Sequence, residues 1–165
     1  MDLIAFTAGG IAKQAERELL LANEYLFRYG DGIVLSEKDA KMLVESRSRA
    51  LRSYGRVELG GESVAMLAKK FCQSPNIEKH EFAEVLSDIV EIFYAFRNET
   101  EGAVSDEELA EAMAIAFDGS CHGALALLAA KNPRELVRIV LAGRDTPHGD
   151  DAPLDGETED VGDAE

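Results

Sequence analysis

The stretch Phe82–Phe96, FAEVLSDIVEIFYAF, constrains the fold of this chain more than any other. Wound as an α-helix at about 100° per residue, it places Phe82, Val85, Leu86, Ile89, Val90, Ile92, Phe93 and Phe96 on one arc of roughly 160°. Glu84, Asp88, Glu91, Ala95 and Asn98 fall opposite. A helix resting on a single neighbour needs a narrower stripe, so this one is expected to touch two or more. Each large apolar side chain it buries contributes about 1.5–3 kcal/mol before entropy is counted. With its flanks, from about residue 78 to 98, the stretch is read as the central helix of an all-α domain.

The remaining elements follow from periodicity and punctuation. Ile11, Ala15, Leu19, Ala22, Leu26 and Tyr29 recur at spacings of four and three, which predicts a first helix from Ile11 to Tyr29. Leu20 and Phe27 sit off that stripe and give the helix a second apolar side. Gly30-Asp31-Gly32 stops it. Ser36 with Asp39 three residues later forms a start signal for a second helix running to about Tyr54. Ser105 with Glu108 repeats that signal. A third helix is expected from about Glu62 to Cys72, and a further one from Cys121 to Ala130. The last runs from Pro133 to Ala142 behind Asn132 as cap. Ile33–Leu35 and Val57–Leu59 alternate over a few residues and allow, at most, a minimal two-stranded element. The expectation is six to seven helices packed around the central one.

The formal net charge is −15, and its distribution matters. After Gly143 nine acids face one base, Arg144, so the tail carries −8 and leaves −7 for the body. Periodicity vanishes there, and Asp, Glu, Gly and Pro dominate, which predicts a disordered acidic tail. The organisation read from the chain is an arm over residues 1–10, one helical domain over 11–142, and the tail over 143–165. Binding a nucleic-acid backbone or an anionic membrane requires clustered positive charge, which this balance opposes. No apolar run reaches the roughly 20 residues of a membrane span. Asp2 stands where a signal peptide needs Lys or Arg. Two cysteines, Cys72 and Cys121, give no disulfide framework. The expectation is a cytoplasmic protein.

Several ordered stretches carry a resemblance. They are LSEKDAKMLVESRSRAL, YGRVELGG, FCQSPNI, EFAEVLSDIVEIFYAFRNE, SDEELAEAMAIAFDG and CHGALALLA. Taken in that order, over roughly Ile11 to Ala142, they resemble an uncharacterised bacterial family, found mainly in Firmicutes and classed as a domain of unknown function. The resemblance implies a soluble bacterial single-domain protein. It brings no activity and no catalytic residue with it.

Arg47 stands out among single residues, because it lies in the apolar stripe of the second helix. A guanidinium there must snorkel, pair with a carboxylate such as Glu99, Asp118 or one on the central helix, or meet a ligand anion. Cys121 and His122 suggest a nucleophile and a base, but neighbouring residues on a helix point about 100° apart, so His80 would have to serve as base instead. Cys72, His80, Cys121 and His122 match no zinc spacing. Glu84, Asp88 and Glu91 share a helix face without the Glu-x-x-His pattern of helical di-metal sites. Glu58 beside Gly60-Gly61 lacks any phosphate-loop context. No catalytic residue, metal site or cofactor is therefore assigned.

Three functions remain. The first is a non-enzymatic module that binds an unidentified protein partner, with Leu20 and Phe27 as its interface. The second is a small-molecule-binding protein or enzyme with an interhelical pocket, for which Arg47, Cys121 and His122 are the candidates. The third is a helix–turn–helix regulator using the bases between Lys38 and Arg56, which the net charge disfavours.

Overall fold

The computed structural model describes residues 3–56 and 62–145, with side chains for residues 13–56 and 62–143. Seven α-helices and no strand occur among the described residues. They are α1 (Leu3–Tyr29), α2 (Glu37–Ser53), α3 (Ser63–Phe71), α4 (Phe82–Thr100), α5 (Asp106–Asp118), α6 (Leu125–Ala129) and α7 (Pro133–Asp145). A 3-10 turn, Lys79–Glu81, leads into α4.

Helix α4 is the hub that its sequence pattern requires. It packs against α2, α3, α5, α6 and α7, whereas among the described helices α1 rests on α2 and α3. Leu86, Ile89, Val90 and Phe93 are completely shielded from solvent. Val85 and Ile92, at the edge of the predicted arc, are half-buried, and Tyr94 is buried with the core. The helix begins at Phe82 behind the 3-10 turn, and it ends two residues beyond the expected Asn98. It stops where Glu101 and Gly102 turn left-handed, at φ 51° and 76°.

Local signals place the other helix starts. Ser36 Oγ accepts from the Asp39 amide at 3.0 Å while Asp39 accepts from the Ser36 amide at 2.9 Å. Ser105 and Glu108 form the same reciprocal pair at the start of α5. Asn132 Oδ1 accepts from the amides of Arg134 and Glu135, and Pro133 occupies the first turn of α7, where its missing N–H costs nothing.

Two expectations change. Helix α1 starts at Leu3, not Ile11, and runs through Gly9 and Gly10. Each glycine costs about 1 kcal/mol against alanine. Continuing a nucleated helix through them still costs less than starting a new one. Helix α6 starts at Leu125, not Cys121. Cys121 and Gly123 instead donate to Ala116 O and Phe117 O, finishing the end of α5. His122 and Gly123 are left-handed there, with φ 49° and 79°, so no helix can pass through them. A Cβ on Gly123 would lie 2.5 Å from Asn76 Cβ, so this turn also needs glycine for space.

Ile33–Leu35 forms no strand. Its alternation is real, with Ile33 and Leu35 buried and Val34 exposed. The pairing partner is the Asn23 side chain of α1, which donates to Leu35 O and accepts from Leu35 N, both at 2.9 Å. Val57–Leu59, the other half of the pair that the alternation allowed, lies outside the described residues, as does the tail beyond Asp145.

Candidate functional site

The most unusual chemistry of the domain lies where α1, α2, α3 and α4 converge. Glu18, Arg47, Ser63 and Tyr94 are all buried there. Arg47 Nε donates to Tyr94 Oη at 3.0 Å, and Tyr94 Oη shares a 2.6 Å hydrogen bond with Ser63 Oγ. The guanidinium groups of Arg47 and Arg97 also approach the Tyr94 ring, at 6.0 and 5.7 Å from its centroid. The phenol thus accepts from one cation while its ring faces two.

Glu18 joins this group from α1 and caps a helix other than its own. Its Oε2 accepts from the Ala65 amide at 2.7 Å, and its Oε1 accepts from Gln14 Nε2 at 3.0 Å. Ala65 is in the first turn of α3, where Glu62 supplies no side-chain cap. An orphan helical N–H is therefore satisfied by a carboxylate from another element, at the end of the helix that favours negative charge. Burial pushes the Glu18 carboxyl above its ordinary pKa. The Ala65 and Gln14 hydrogen bonds and the charge of Arg47 pull the other way without overcoming it. No buried side-chain nitrogen or oxygen among the described residues lacks a partner.

Glu18 is the residue that sequence reasoning missed. It lies three residues after Ala15 and four before Ala22, inside the buried stripe, where its charge sets it apart from the apolar positions around it. Arg47 is likewise a charge within the apolar stripe of its helix. Among the carboxylates considered for it, Asp118 accepts hydrogen bonds from Ser74 and Asn76 at the end of α5, a helix that α2 does not touch.

The other candidate residues lie apart from this cluster. Cys121 and His122 occupy the turn after α5, and α2 contacts neither α5 nor α6. Cys121 is wholly buried and His122 is exposed. Cys72 is also buried, and burial raises its thiol pKa. Nucleophilic cysteines are reached by solvent and held as thiolates, which is the opposite environment. Of the bases between Lys38 and Arg56, Lys41 pairs with Glu37 and Arg49 with Glu91, while Arg47 is internal.

Leu20 and Phe27 are 72% and 91% exposed on the outer side of α1. They stand seven residues apart, about two helical turns, and so share one face. Lys13, Glu16, Arg17, Glu24 and Arg28 surround them in solvent. On α4, Glu84, Asp88 and Glu91 are exposed as expected. Partial desolvation, then repulsion from Glu91 and Glu84, raises the Asp88 pKa.

Shallow grooves mark the surface of the described residues. One, about 460 Å3, runs past Tyr25, Ser63, Met66 and Lys69 at the start of α3. Another, about 680 Å3, lies between Met42 and Glu45 of α2 and Glu84 of α4. Arg47 is not among the described residues lining either. No group of three or more His, Cys, Asp or Glu side chains among the described residues is placed to hold a metal ion. No described helix is long and apolar enough to cross a membrane.

No curated protein and no solved structure matches the chain. A family model does, over residues 18–146, and that span takes in every element from the second half of α1 to the end of α7. The chain belongs to DUF6323, a family of unknown function.

Proposed function

We propose that this protein is a non-enzymatic helical module that binds another protein through the outer face of α1, with Leu20 and Phe27 as the anchors. One observation carries the reading. Two large apolar side chains, 72% and 91% exposed, share a face of a helix that is otherwise firmly docked. Protein interfaces combine an apolar core, enriched in aromatic side chains such as Phe, with a polar rim. The acidic net charge favours encounter with a basic partner and opposes binding to nucleic acid. The proposed setting is the cytoplasm, where two buried free thiols remain reduced.

The test is native mass spectrometry of the protein isolated gently from its own host, alongside the L20E/F27E variant. A polypeptide retained at fixed stoichiometry by the parent and lost by the variant supports the reading. Identical assemblies for both proteins would remove the α1 face from consideration. A retained small molecule in place of a polypeptide would overturn the module reading in favour of a pocket.

A further inference from the structure

We draw no further inference here: the strongest candidate, the carboxylate row Glu84, Asp88 and Glu91 of α4 beside the groove at the start of α2, is an acidic cluster in which Glu91 already pairs with Arg49, and nothing in the structure shows what covers it.

Discussion

Helices α1 and α4 both have apolar side chains over more than one stripe, yet they treat them in opposite ways. Helix α4 is enclosed by five neighbouring helices and buries nearly all of its arc. Helix α1 rests on two neighbours among the described helices, leaves Leu20 and Phe27 in solvent, and buries a carboxylate in the side it does cover. Periodicity reports which residues share a face. Which faces are covered depends on how many elements arrive there, and that is a property of the whole fold.

The largest test of the contrast is Phe93→Asp. Phe93 is fully buried at the centre of α4, and an unpaired charge there should exceed the stability of an ordinary domain, about 5–15 kcal/mol in all. Far-UV circular dichroism and urea titration should find no cooperative transition. A folded Phe93→Asp protein would mean that α4 is not the hub.

Glu18→Ala should come next, costing about 3 kcal/mol in chemical denaturation, because it strands the Ala65 amide and removes the carboxylate facing Arg47. Glu18→Gln keeps an acceptor and removes the charge, which gives a pH test. The folded carboxyl has a pKa above 4.5, so the folded state holds its proton more tightly than the unfolded state. Its contribution is fully present below the unfolded pKa and is lost as pH rises through the folded value. Glu18→Gln should therefore gain stability relative to the parent as pH rises above about 4.5. A pH-independent difference would show that Glu18 is not desolvated as described.

Gly123→Ala is expected to cost about 1–2 kcal/mol, since the residue is left-handed and its new methyl would meet Asn76. Thermal unfolding would register this as a loss of several degrees, and an unchanged midpoint would mean that the Asn76 loop yields freely. The smallest effect belongs to L20E/F27E. Substitution at exposed positions should leave stability within about 0.5 kcal/mol of the parent. A large loss in the isolated protein would show that the outer face of α1 is covered after all.

The parts of the fold that were legible in the sequence are those encoded locally. The boxes at Ser36 and Ser105, the Asn132 cap and the apolar arc of α4 each lie within a few turns of chain, and each is present. The early start of α1 was hidden because glycines signal a break, although a helix already under way can absorb them. The turn at Cys121–Ala124 was hidden because Cys121 and Gly123 donate back to the end of α5, and the room at Gly123 is limited by Asn76, which lies far away in sequence. The buried polar cluster was half legible. Arg47 announces itself as a base within an apolar stripe, and Glu18 carries the same mark. Their separate destinations, a phenol on α4 and an amide on α3, follow only from the packing of four helices.

The Glu18–Ala65 hydrogen bond also makes one proton a reporter. The Ala65 amide has no acceptor within its own helix, so its protection from exchange with solvent depends on α1 staying docked. Detachment of α1 would expose this amide while the amides deeper in α3 remained closed. Its exchange rate therefore measures how often α1 leaves the body, and anything that grips the outer face of α1 and slows or hastens that departure would register at Ala65.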